Sequence, residues 1–168
     1  MKYTKIKDND VANGVGISMS LWTQGCPHRC EGCFNEETWD FNGGQEFTEE
    51  NLKYILSNID KHGVERNLAI LGGEPLCPQN VEGVLELCRE FKNMYPNKKI
   101  YIWSGYIFEE FSELQREILN YVDILVDGPF QLPNRNLSLT LRGSSNQRVI
   151  DVKKTLENKV LVLSSLNS

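Results

Sequence analysis

Gly25-Cys26-Pro27-His28-Arg29-Cys30-Glu31-Gly32-Cys33-Phe34-Asn35 is the stretch on which the reading of the chain turns. It places three of the five cysteines inside eight residues, at C-x3-C-x2-C spacing. Thiols held that close in a tight loop converge near solvent and do not serve as inert core. Soft, convergent thiolates are what iron–sulfur clusters and zinc require. A cubane offers four irons, so three cysteines leave one iron open to an outside ligand, which separates a working site from a closed structural one. A disulfide would strand one cysteine. Zinc would need His28, Cys77 or Cys88 as a fourth ligand, and the second C-x2-C-like pair of a zinc ribbon is missing.

The surrounding composition narrows the class. The chain has 168 residues, 40% hydrophobic and 24% charged, the profile of an ordinary globular domain. A net charge of −5 argues against a broad nucleic-acid-binding face. No apolar run reaches the length of a membrane span. The start is polar and lacks a signal-peptide pattern, so five cysteines lead to the expectation of a reducing, cytoplasmic setting.

Working outward, Val15 to Trp22 reads as a strand that runs directly into the cysteine loop. The Asn13-Gly14-Val15-Gly16 run before it is turn-like, and residues 36 to 47 read mostly as loop. Thr48 can cap a helix with Leu52, Ile55, Leu56 and Ile59 on one face, ended by Gly63. Asn67 to Leu71 is a short buried strand stopped by Gly72-Gly73. Val81, Val84, Leu85, Cys88 and Phe91 mark a second helix, Lys99 to Trp103 a third strand, and Phe108 to Ile118 a third helical face. Val122 to Val126 is a fourth strand, and two late strands are expected around Arg148 to Val152 and Val160 to Leu163. The unit is strand, loop, helix, repeated about every thirty residues, as in βαβ construction. Parallel strands of this kind form either an open doubly wound sheet or a barrel. A full eight-unit barrel needs about 250 residues, so this chain can build only part of one.

Each strand ends in a Gly-containing loop on one sheet edge, where both folds carry their sites. Gly72-Gly73-Glu74-Pro75 combines close backbone approach with an acceptor side chain. Ser104 after the third strand can meet a ribose hydroxyl or simply form the turn. Asp127 reads as structural. Leu141 to Arg148 is a doubly cationic polar run in which Arg142 and Arg148 either recognise a partner or stand in solvent. His28 reads as a solvent-facing loop residue, Cys77 as a buried thiol, and Trp22, Trp39 and Trp103 as core.

The cysteine loop after one strand and Gly-Gly-Glu-Pro after the next together resemble the radical S-adenosylmethionine enzymes. More closely, the chain is similar to the activating proteins of anaerobic (class III) ribonucleoside-triphosphate reductases. The matching pieces are Asn13 to Gly16, Gly25 to Asn35, Thr38-Trp39, Leu71 to Pro75, Trp103 to Tyr106, Asp123 to Phe130 and Arg142 to Asp151. Many superfamily members carry an aromatic residue just before the third cysteine. Here Gly32 stands there and Phe34 follows the cysteine, an arrangement that the activating-protein subgroup shares.

That resemblance implies a 4Fe–4S cluster on Cys26, Cys30 and Cys33, whose open iron S-adenosylmethionine chelates. It also implies backbone contacts from Gly32, Cys33 and Phe34 to the adenine side, with Gly72, Gly73 and Glu74 meeting the methionine ammonium and Ser104 the ribose. No side chain acts as general acid or base. The expected partners are the reductase, on which a glycyl radical is made, and a flavodoxin-like one-electron donor, without nucleic acid or membrane. The expected fold is α/β, a partial (incomplete) TIM-like barrel of parallel strands with outer helices, one domain over residues 1–168. Alternatives are an activator of a pyruvate formate-lyase-type protein, a small-molecule radical enzyme, or a zinc-binding interaction module.

Overall fold

The computed structural model describes residues 1–168 and shows an α/β chain built on a seven-stranded sheet. In order its elements are β1 (Lys2–Asp10), β2 (Ser18–Thr23), β3 (Gln45–Glu46), α1 (Glu49–Asn58), β4 (Asn67–Gly72), α2 (Val81–Met94), β5 (Ile100–Trp103), α3 (Glu113–Ile118), β6 (Ile124–Asp127), β7 (Arg148–Asp151) and α4 (Val152–Asn158). The strands lie side by side as β3-β1-β2-β4-β5-β6-β7.

β2, β4, β5 and β6 are parallel neighbours, as the repeat predicts. They follow one another without the reversal of order that a doubly wound sheet needs. Alternation along each strand splits its residues between two faces. Met19, Leu21, Leu68, Ile70, Ile100, Ile102 and Leu125 join the large core with α1 and α2. Trp22, Ala69, Leu71, Tyr101, Ile124 and Val126 line the opposite face in a smaller cluster. Strands covered on both sides read as continuous apolar runs, and for that reason these four were legible.

The expectation of a wholly parallel sheet is corrected at both edges. β1 is antiparallel to β2 and to β3, and β7 is antiparallel to β6. An antiparallel neighbour needs no crossover helix, so β7 returns through a loop from β6. β1 falls in the stretch read only as a polar start. Its lysines do not face water alone: the Lys5 and Lys7 ammonium groups lie 4.3 and 5.0 Å from the Trp22 ring, a cation–π arrangement that covers the indole.

Three further boundaries move for local reasons. α1 keeps the expected Thr48 cap, where Asn51 completes a reciprocal capping box, but ends at Asn58 and leaves Lys61–Gly63 as a separate 3₁₀ turn. The third helical face is broken, because Ser112 caps a fresh start with Gln115 and leaves Phe108–Glu110 as a separate 3₁₀ turn. The late strand expected around Val160 to Leu163 is absent apart from one bridge between Ile150 and Leu163. In its place Asp151 caps α4 through the Lys154 N–H, and Lys159 at φ 54° turns the chain back. No helix is long and apolar enough to cross a membrane.

Candidate functional site

The loops that follow β2, β4, β5 and β6 close around a cavity of about 530 Å³ at the carboxyl edge of the sheet. Register brings them together: Thr23 is paired with Gly72, and Trp103 with Val126. Cys26, Cys30, Cys33, Phe34, Gly72, Gly73, Glu74 and Ser104 all line this cavity. Gly32 does not line it, but its loop packs under Leu132, whose Cδ1 stands 2.8 Å from where a Cβ would be.

The cysteine loop is pinned at its start. Gly25 N donates to Thr38 O at 2.6 Å, and Cys26 N to Trp39 O at 3.2 Å. Arg29 at φ 50° and Gly32 at φ 76° turn the chain back twice so that the three sulfurs share one side. All five cysteines are free thiols. Burial raises the Cys26 thiol above its ordinary value, opposed by the amides of His28 and Arg29. Burial raises Cys30 likewise, opposed by the Phe130 amide. Loading a metal cluster here therefore displaces thiol protons. Cys77 and Cys88 are fully buried, and burial pushes them up to about 11 and about 12, which makes them inert thiols.

The donor set fits a three-thiolate cluster. Asn35 N already points at Cys33 Sγ from 3.3 Å, and such N–H groups stabilise cluster sulfur. Trp39, which borders the cavity, has a buried indole N–H with no protein acceptor. His28, one of the residues that could complete a zinc site, is bonded to Glu74. No three His, Cys, Asp or Glu side chains converge closely enough for a single metal ion.

The β4 turn is stapled to the cysteine loop. Gly73 N donates to Thr23 O at 2.9 Å and Glu74 N to Gly25 O at 2.8 Å. A Cβ at Gly73 would stand 2.5 Å from Gly25 O, and one at Gly72 would stand 2.7 Å from Thr23 backbone, so no other residue allows this approach. The Glu74 side chain is wholly buried. Its Oε1 accepts from His28 Nε2 and Gly105 N, both at 2.7 Å, and its Oε2 from Leu76 N at 2.8 Å and Ser104 Oγ at 2.9 Å. Ser104 Oγ in turn accepts from Tyr106 N at 3.0 Å, leaving one lone pair free.

Several residues sit differently from their sequence reading. His28 is no solvent-facing loop residue: its side chain is 19% exposed and it packs edge-on against Tyr106 at 4.7 Å. Its partner lies 46 positions away, so spacing carried no signal for the pair. Trp39 and Trp103 border the cavity, and only Trp22 is core. Trp103 Nε1 donates to Leu141 O at 2.9 Å, which ties the late loop to the cavity wall. Arg142 lines the cavity and donates to Gln147 O and Ser168 O. Arg148 is held by Glu109 and by Asp127, itself 1% exposed, and these bonds raise its pKa further. The structural reading of Asp127 holds, and Arg148 is a clamp between β7 and the loop before α3.

Comparison with known proteins agrees with this arrangement. The family profile described as a 4Fe-4S single cluster domain matches residues 12–150. The chain is 40% identical over 151 residues to a protein of Enterobacteria phage T4 named anaerobic ribonucleoside-triphosphate reductase-activating protein, covering 89% of this chain and 93% of the relative. It is 37% identical over 150 residues to proteins of that name from Salmonella typhi and from Escherichia coli (strain K12), covering 89% of this chain and 97% of each.

Proposed function

The chain belongs to the 4Fe-4S single cluster domain family, among the anaerobic ribonucleoside-triphosphate reductase-activating proteins, and from that premise we propose that it installs a glycyl radical on such a reductase. The supporting observation is one cavity lined by three free thiols, a Gly-Gly-Glu turn and the Ser104 strand end. When bound, the cluster and S-adenosylmethionine supply one-electron cleavage of a carbon–sulfur bond and, from it, a carbon radical able to take hydrogen from glycine.

The chain's own residues supply place and shielding. Cys26, Cys30 and Cys33 would each hold one iron and leave the fourth open to the cofactor's amino and carboxylate groups. Gly72 and Gly73 offer backbone to the methionine end, a closeness that their missing side chains permit. Glu74 has all four acceptor positions filled, so it serves that end by holding the turn. Ser104 keeps a lone pair for a ribose hydroxyl. The backbone of Cys33 and Phe34 would form the adenine side, while Gly32, outside the cavity lining, would act only by turning the loop. Leu71, Trp103, Val126 and Phe130 make the wall apolar and so limit water where a reactive carbon would form.

The sequential parallel strands, with core helices α1 and α2 packed on one face, support a partial TIM-like barrel across residues 1–168 as one domain. A sheet left open at the side suits a glycine-bearing segment of a large protein better than a small free substrate. Phe34, 55% exposed, and Leu137, 70% exposed, border that opening. A flavodoxin-like one-electron donor would reduce the cluster, and the free thiols suit a reducing cytoplasm.

Anaerobic incubation with the reductase, S-adenosylmethionine and a reductant, followed by electron paramagnetic resonance, tests this. A glycyl doublet with the wild type and none with Cys30→Ala is expected. A wild-type mixture without a protein radical would refute the assignment, and a doublet raised only on a pyruvate formate-lyase-type partner would reassign it.

A further inference from the structure

The Glu74 carboxylate is the point at which three strand-end loops meet. Its four donors come from the cysteine loop (His28), from its own turn (Leu76) and from the end of β5 (Ser104 and Gly105). A carboxylate offers about four acceptor sites, so this one is full. Three of the donors stand on segments that the sheet already fixes. Only His28 rides on the loop that carries the thiols. Because its partner is an acceptor, the imidazole proton in that bond must sit on Nε2.

The seat of His28 is shaped for it. A Cβ on Gly105 would stand 2.6 Å from His28 Cδ2 and 2.7 Å from Nε2, so the absent side chain makes the notch. Tyr106 closes the other side, its ring at 71° to the imidazole. The other backbone ties of the cysteine loop lie at its start: Gly25 N and Cys26 N donate to Thr38 O and Trp39 O, outside the sheet, and Gly25 O accepts from Glu74 N in the β4 turn. Past Cys26, the bond from His28 to Glu74 is what connects the loop to the β4 and β5 ends.

We infer that His28 is a positioning residue: through Glu74 it sets the cysteine loop in register with the Gly72-Gly73 and Ser104 shelf, so that one ligand can touch both. This rests on the cofactor reading given above, since S-adenosylmethionine is the ligand that spans cluster and shelf. Loss of His28 leaves the three thiols in place and lets their loop drift against the shelf. It therefore weakens cofactor binding while sparing the cluster.

The test uses the full-length protein, loaded anaerobically, as wild type, His28→Ala, His28→Gln and Gly105→Ala. Iron and sulfide per chain stay at the wild-type level in all four. The dissociation constant for S-adenosylmethionine rises about tenfold in His28→Ala, the scale of one lost charge-assisted hydrogen bond. The change that the cofactor induces in the resonance spectrum of the reduced cluster becomes weak and heterogeneous. His28→Gln, whose amide can still donate to Glu74, recovers most of both. Gly105→Ala, which evicts the ring, reproduces the loss and adds little to His28→Ala in the double variant.

Wild-type affinity and an unaltered spectral response in His28→Ala would overturn the inference. So would loss of iron in that variant, because His28 would then be holding the thiols and not their register. Failure of the wider reading looks different: the wild type itself would show no response to S-adenosylmethionine.

Discussion

The two edges of the sheet carry cavities of opposite character, and size does not tell which is the site. At the amino edge, the segments Val15–Ile17, Asp60–Asn67 and Met94–Lys98 enclose about 740 Å³, against about 530 Å³ at the carboxyl edge. The amino-edge groups are committed to each other. Arg66 is 3% exposed and donates to the carbonyls of Asp8, Asn58, Ile59, Lys61 and Val64 and to the Asn9 side chain. At the carboxyl edge Glu74 is saturated in that way, and Arg142 and Gln147 are bonded too. Three thiols outside any disulfide, the Trp39 N–H and a lone pair on Ser104 remain available there. Room does not make a binding site; unspent, convergent bonding capacity does.

That contrast can be broken at either edge. The largest effect is expected from Cys26→Ala, Cys30→Ala or Cys33→Ala, which abolish the cluster and with it all activity, as iron and sulfide analysis and an activation assay would show. Thermal melting of the metal-free form should shift little for Cys30 and Cys33, which are only half-buried. Next is Arg66→Met at the other edge. Orphaning several buried carbonyls should cost about 3 kcal/mol or more, read by denaturant unfolding, while the iron content of the folded fraction stays unchanged. An Arg66 variant that lost iron without losing stability would erase the distinction between the edges.

Gly73→Ala sharpens the contrast from the site side. The added methyl would stand 2.5 Å from Gly25 O, and strain of this kind costs about 1–3 kcal/mol. Weaker S-adenosylmethionine binding, measured by equilibrium dialysis, is the expected result. The smallest effect is electrostatic. The hydrogen bonds from Arg148 hold Glu109 below its usual carboxylate value. A lowered folded-state value stabilises the fold above the ordinary carboxylate range and loses that contribution as pH falls through the folded value. Glu109 is more than half exposed, so solvent screens the pair to about 0.5 kcal/mol. Glu109→Gln should remove that increment near neutral pH and flatten the acid limb of the stability curve.

The site was legible in the sequence where its chemistry is local. Cys26 to Cys33 and Gly72 to Glu74 each declare themselves within a few residues, and the buried strands β2, β4, β5 and β6 read as apolar runs. What escaped depends on distant partners. β1 carries lysines that look solvated until Trp22 lies beneath them. His28 looks idle until a carboxylate 46 positions later accepts its hydrogen bond. α4 is seven residues long and is capped by Asp151, the last residue of a strand, so its signal was absorbed into β7. Glu74 shows the converse: its motif pointed to a ligand contact, and the fold turned its carboxylate inward to bind the loops together.

The open coordination position is best tested by electron–nuclear double resonance on the reduced, loaded protein with S-adenosylmethionine labelled at its amino nitrogen. A coupling between that nitrogen and the cluster, lost when the label is moved to the adenine, is the predicted result. A spectrum indifferent to the labelled cofactor, or a colourless protein that takes up zinc in place of iron and sulfide, would contradict it.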